Sequence, residues 1–148
     1  MRFSLKVRYA IYGVFDLAYN ASVEPTRSRS VSERQGIPAR YMEQIFQQLR
    51  RAGLVTSKRG PGGGYVLARP AEEILLRDVI EAVEGPLDFA PKLEQDDEEA
   101  SRRPDFLWRE LTSRFSSVLA ETTLARVCRE ADRIDVPRET SHTPMYFI

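Results

Sequence analysis

Residues 32–69 read SERQGIPARYMEQIFQQLRRAGLVTSKRGPGGGYVLAR, and this stretch decides the fold. Met42, Ile45, Phe46 and Leu49 fall at i, i+3, i+4 and i+7, the spacing of one apolar helix face. At about 100° per residue, Arg40, Glu43, Gln44, Gln47 and Arg51 take the opposite face, with Tyr41 and Gln48 at its flank. Gly53 ends this helix, and Pro38 suits its first position, where a missing N–H is no loss. Upstream, a short helix fits 30–35, with Ser28 or Ser30 as its cap and Gly36 as its stop. Two helices joined by a tight turn at Gln35-Gly36-Ile37 make a helix-turn-helix over residues 28–52. Downstream, LVTSKR and YVLAR read as strands flanking GPGGG, with Lys58 and Arg59 at the tip. A basic, glycine-rich hairpin directly after such a helix is a wing, here residues 54–68.

Working outward, a first helix is predicted from Ser4, its cap, to about Asn20, with Val7, Ile11, Val14, Phe15 and Ala18 on one apolar face. LLRDVIEAVE at 75–84 predicts another helix with Leu75, Val79, Ile80 and Val83 inward, stopped by Gly85-Pro86. Residues 1–85 therefore form a winged helix-turn-helix domain. Residues 86–103 are an acidic linker, containing Pro86, Pro91 and the run EQDDEEASRR. From Pro104 a helical pattern returns: Trp108, Leu111, Phe115 and Val118 step by 3, 4 and 3, with Leu107 and Leu119 widening the stripe. Near-heptad spacing on a lone helix after a linker favours pairing with a second subunit. Residues 104–134 are read as this dimerisation helix and a short following one capped by Thr122 or Thr123. Residues 135–148 form an irregular tail. The fold class is mainly α with a small β-hairpin.

Composition narrows the function. The 148 residues are 42% hydrophobic and 30% charged, a globular balance. Twenty-two basic and twenty-two acidic residues cancel, yet they are segregated. Residues 1–70 hold 12 Lys/Arg against 4 Asp/Glu, residues 71–100 hold 2 against 11, and residues 101–148 hold 8 against 7. A front segment of +8 points to a polyanion. No apolar run approaches the roughly 20 residues of a membrane span, and the N-terminus lacks a signal peptide's pattern; a cytoplasmic protein is expected. One cysteine excludes a disulfide framework and clustered thiolates. With one His, one Cys and no nucleophile–base pair, no catalytic constellation assembles, so the chain is not read as an enzyme.

On an isolated helix, the polar face of residues 40–51 would be a solvated surface. Following a tight turn and preceding a basic hairpin, it reads as a double-stranded DNA contact. Gln44 or Gln47 can pair with an adenine edge, Arg40 with guanine, and Glu43 can accept from a cytosine amino group. Tyr41, Arg50 and Arg51 suit phosphates, while Lys58 and Arg59 serve the wing, Arg59 as a minor-groove probe. The loop RGPGGGY fails the phosphate-loop test, because Gly64 is followed by Tyr65 and Val66. It also fails the dinucleotide fingerprint, whose third glycine would fall on Tyr65. The run Asp96–Glu99 matches no calcium loop and reads as a solvated linker or a shield for the basic surface. Cys128 reads as a small core residue or, alternatively, as a redox-sensing thiol. A winged-helix protein-interaction module without DNA binding is the other alternative.

At residues 32–69, and in KVRYAIYGVFDLA, LRDVIEAVEGPL and LWRELTSRF, the chain closely resembles winged-helix repressors of the IscR/NsrR/CymR type, the Rrf-two family. The resemblance covers about residues 1–130. It implies a homodimeric DNA-binding regulator, usually a repressor, whose long C-terminal helix crosses to the partner. It also implies that Tyr41, Glu43 and Gln44 enter the major groove and Arg59 the minor groove. Many members hold an iron–sulfur cluster through three cysteines between the winged helix and the long helix. Here that stretch, roughly Asp88 to Asp105, has neither Cys nor His. Thiolates normally hold such clusters, so no cysteine-ligated cluster or metal site is expected. A small-molecule or protein effector stays open.

Overall fold

The computed structural model describes residues 2–91 and 102–139. The order is α1 (Leu5–Tyr19), α2 (Ser28–Gln35), α3 (Ala39–Arg51), β1 (Val55–Lys58), β2 (Gly64–Leu67), α4 (Leu76–Glu84), α5 (Phe106–Glu121) and α6 (Leu124–Arg133). A 3-10 turn at Ala71–Glu73 precedes α4. This is the mainly helical winged-helix fold that the sequence predicts. The acidic run Asp96–Glu99 and the tail from residue 140 lie outside the described residues.

Ser4 caps α1, its hydroxyl accepting the Val7 N–H at 3.2 Å. The buried stripe of α1 is Val7, Ala10, Val14 and Leu17, which corrects the expected face. Ile11, Phe15 and Ala18 are only half-buried. The helix packs against α3 and α4 along one side, while Ile11 and Phe15 border an apolar groove of about 760 Å³ beside Val127 of α6 and Ile134 at its C-cap. Helical periodicity locates an apolar arc, but it does not say how two neighbours divide that arc.

Within the helix-turn-helix, Gly36 ends α2 at φ 65°, a left-handed conformation costly for residues with a Cβ. The Ile37 N–H then reaches back to the Ser32 carbonyl at 3.0 Å and the chain turns into α3. Two boundary expectations are corrected. Arg27, not a serine, stands at the N-cap of α2, which has no side-chain cap, because Ser28 spends its hydroxyl on Glu43 of α3 at 2.6 Å. Pro38 occupies the N-cap of α3 rather than its first turn, with ψ 130°. Its carbonyl accepts the Tyr41 and Met42 N–H groups.

Met42, Ile45, Phe46 and Leu49 are all buried, as their spacing requires. Each such side chain contributes about 1.5–3 kcal/mol by leaving water. They form the centre of one core with Val31, Leu54, Val55, Ile74, Val79, Ile80 and Val83. Leu75 is only half-buried and stands at the N-cap of α4, where its backbone bridges to Thr123. The Leu76 N–H donates to the Thr122 carbonyl at 2.9 Å and the Leu124 N–H to the Ile74 carbonyl at 2.8 Å. This stitch fixes the α5–α6 corner on the winged helix. Thr123 caps α6 by accepting the Arg126 N–H, as one of the two expected threonines.

Candidate nucleic-acid interface

The wing is an antiparallel pair in the register Val55 to Leu67 through Lys58 to Gly64. Its tip closes with the Gly63 N–H on the Gly60 carbonyl at 2.9 Å, a β-turn around Pro61 and Gly62. The base of the wing is pinned from the other side. Tyr65 and Thr26 exchange backbone hydrogen bonds of 2.7 and 2.9 Å, and a Cβ at Gly64 would lie 2.5 Å from the Thr26 carbonyl oxygen. Only a glycine permits that approach. A third strand-like residue thus holds the hairpin against the segment entering α2.

Tyr65 is the hub of this joint. Its ring is buried and stacks on Phe46 of α3 at 4.7 Å between centroids. Its hydroxyl donates to the Glu43 carboxylate at 2.9 Å. Burial, and then the adjacent Glu43 carboxylate, push the Tyr65 phenol up to about 12, so it stays a neutral donor at physiological pH. Both oxygens of Glu43 are therefore occupied within the chain, one by Ser28 and one by Tyr65. The sequence reading offers Glu43 as a base acceptor. The structure places it half-buried, clasping α2, α3 and the wing together.

The other sequence-predicted DNA contacts gather around this joint. Arg40, Tyr41, Gln44, Arg50 and Arg51 are exposed along α3, and Gln47 is half-buried. Arg50 donates to the Ser57 hydroxyl of β1 at 3.1 Å, holding its guanidinium beside the wing. Lys58 and Arg59 stand exposed at the end of β1. Five cations thus lie on one helix face and its adjoining hairpin. That surface offers side-chain donors, a helix of groove-filling diameter and an exposed basic tip, which is the chemistry of base-edge and phosphate contact.

The residues expected at a subunit contact divide. On α5, Trp108, Leu111 and Val118 are exposed at 39%, 40% and 59%. Phe115 instead packs inside the chain, its ring 6.1 Å from Phe3 and 5.6 Å from Phe89. Phe115 lies within the stripe, between Trp108 and Leu111 on the helix, and is half-buried because the chain's own phenylalanines reach it.

Cys128 sits half-buried on α6. Burial pushes its thiol above its ordinary value; Arg138 and Arg129 oppose this, and Asp132 and Glu72 reinforce it. Such a thiol carries little thiolate at neutral pH, the opposite of an activated sensor cysteine. One cysteine on α6 and one histidine at 142 cannot supply three thiolate ligands, so the donor set does not fit a cysteine-held cluster. Among the described residues no group of three or more His, Cys, Asp or Glu side chains is placed to hold a metal ion, and no helix is long and apolar enough to cross a membrane.

Two supporting features escape sequence reasoning. Asp16 of α1 is fully buried and accepts from Arg34 of α2 at 2.5 and 3.0 Å and from Gln35 at 2.9 Å. This pair, which raises the Arg34 guanidinium further above its ordinary value, ties α1 to the first helix of the helix-turn-helix. An acidic residue inside the apolar arc of α1 was the available signal. The second is a strap: the Tyr19 hydroxyl donates to the Val136 carbonyl at 2.7 Å, and Arg138 covers the Tyr19 ring at 4.1 Å. Arg34 also pairs with Glu139. Nothing in local periodicity announces such a contact.

Comparison with known proteins agrees with this geometry. Residues 3–130 match the Rrf2 family, described as an iron-dependent transcriptional regulator. The HTH-type transcriptional regulator IscR of Vibrio atlanticus is 38% identical over 138 residues, covering 92% of this chain and 80% of that protein. IscR of Yersinia pseudotuberculosis is 39% identical, covering 92% and 84%. Among solved structures, CymR, the global cysteine regulator of B. subtilis, superposes with a TM-score of 0.72 at 34% identity, covering 88% of this chain and 98% of that one. IscR of T. potens gives 0.74 at 32% identity, covering 93% of each. The helix-turn-helix, the wing and these matches together show that the chain belongs to the Rrf2 family of DNA-binding transcriptional regulators and is not an enzyme.

Proposed function

We propose that this regulator is a homodimeric repressor that reads a partly palindromic operator and works without a cysteine-ligated iron–sulfur cluster. The observation that carries the reading is the exposed Arg and Gln face of α3 beside a basic wing, held at a fixed angle by the Glu43–Tyr65 clasp. Gln44, Gln47 and Arg40 present base-edge donors and acceptors, Tyr41, Arg50, Arg51 and Lys58 meet phosphates, and Arg59 probes the minor groove. The exposed apolar side chains of Trp108, Leu111 and Val118 favour a second copy of α5 as their cover. A two-fold dimer then requires two half-sites about one helical turn apart, or a multiple of it. Cys128, as the one cysteine of the sequence, supports regulation that does not use a cluster held by three thiolates.

The test is selection of duplexes from a random library followed by footprinting. Two protected half-sites related by a dyad support the reading. A single asymmetric footprint contradicts the dimeric operator, and failure to enrich any sequence contradicts specific DNA binding. Coupling the selected operator to a reporter promoter decides repression: lower transcription supports it and higher transcription opposes it.

A further inference from the structure

The two long flanks of α3 are bordered by different parts of the chain. On one flank Glu43 and Arg50 meet the wing through Tyr65 and Ser57. On the other, Tyr41, Gln44 and Gln48 face the first turns of α1 across a cleft of about 530 Å³, whose far wall carries Lys6 and Tyr9. The Tyr9 and Tyr41 rings are 6.4 Å apart at the cleft floor. Lys6 is exposed to solvent, as are Tyr41 and Gln44. Lys, Tyr and Gln side chains all donate hydrogen bonds. The acidic residue at the rim, Glu84, accepts the Ser4 hydroxyl.

We propose that this cleft seats the sugar–phosphate backbone of the DNA strand bordering the groove that α3 enters, with Lys6 and Tyr9 contacting phosphate. The proposal rests on the DNA-binding reading above and extends the interface to α1. The dimensions carry it. A helix with its side chains is about 10–12 Å across and the major groove about 12 Å wide. A helix seated there therefore meets one backbone along each flank. The wing serves one of those backbones, and the wall that carries Lys6 and Tyr9 faces the other. Charge complementarity agrees, since residues 1–70 hold 12 Lys/Arg against 4 Asp/Glu. Contacts of this kind position the protein and carry no sequence information, so they act equally on operator and unrelated DNA.

Binding of wild type, Lys6→Gln, Lys6→Glu and Tyr9→Phe to a selected operator and to an unrelated duplex, each across a salt series, tests this. Lys6 is exposed, so its replacement leaves the core intact. Lys6→Gln is expected to weaken both duplexes by the same factor, on the order of three- to tenfold, and to flatten the salt slope by about 1 per subunit. Lys6→Glu weakens both further, and Tyr9→Phe lowers both affinities with little change in slope. Wild-type binding with affinity and slope unchanged in the Lys6 variants overturns the cleft alone. A loss confined to the operator also overturns it, because Lys6 would then be reading a base. No binding by the wild-type chain sinks the cleft and the DNA-binding reading together.

Discussion

Tyr65, in the second strand of the wing, donates its hydroxyl to Glu43 of the recognition helix at 2.9 Å while its ring lies stacked on Phe46 one turn further along. The hydrogen bond and the stack fix two elements that, in the proposed function, meet neighbouring grooves of one duplex. A wing free to swing would have to be ordered on binding, at an entropic cost that the preset joint avoids.

Tyr65→Phe keeps the stack and removes the donor. It is expected to cost about 1.5–3 kcal/mol in urea unfolding, the range for a bond to a charged acceptor. The phenol's folded value near 12 lies above its ordinary 10. Its contribution to stability is therefore full below pH 10 and lost as pH rises through about 12. Absorbance of the tyrosinate band should show late-titrating phenols, since Tyr19 is also raised by burial and by Asp132, and the variant should lack one of them. A variant with an unchanged late titration would remove the role of Tyr65 as the buried donor.

Asp16 and Arg34 should behave as a unit. Arg34→Ala leaves a fully buried carboxylate without its main partner and is expected to destabilise by about 3 kcal/mol. Combining it with Asp16→Ala should cost less than the sum of the singles by about 1–3 kcal/mol. Chemical denaturation of the four proteins in the cycle measures this. Simple additivity would show that the pair does not tie α1 to α2.

These two contacts mark the limit of what was legible in the chain. The 3.6-residue rhythm of Met42, Ile45, Phe46 and Leu49 locates the recognition helix, and Gly36 marks its turn, because both signals are local. The Glu43–Tyr65 bond spans 22 residues and the Asp16–Arg34 pair 18, distances over which periodicity carries no information. Glu43 is a clear case. Its place on the polar face is readable, but the partners that occupy its oxygens depend on how the wing folds back. Phe115 is similar: its heptad position is readable, but not that Phe3 and Phe89 of the same chain also pack on it.

Val118→Glu places a charge in the exposed stripe of α5 without touching the chain's own core. If α5 pairs with a second copy, sedimentation should give a dimer for wild type and a monomer for the variant at micromolar concentration, with an unchanged helical spectrum. A wild-type monomer, or a variant dimer of equal strength, would contradict pairing through this stripe.

Cys128 is expected to be a slow thiol. Because its value is raised, the thiolate needed for alkylation or oxidation is scarce at neutral pH, and reaction with a maleimide should be slower than for a free thiol and speed up with rising pH. Cys128→Ser should leave DNA affinity unchanged before and after peroxide. A peroxide-dependent loss of binding that the serine variant abolishes would instead establish a redox switch.

The central claim is that α3 and the wing read DNA, and fluorescence anisotropy on a selected operator and an unrelated duplex at 50 and 200 mM salt tests it most directly. With six to ten phosphate contacts, operator affinity should fall by roughly 10³–10⁵ between those salts. Gln44→Ala should erase part of the preference for the operator, and Arg59→Ala should weaken it. Absence of binding at 50 mM salt, or equal affinity for the two duplexes, would contradict the account.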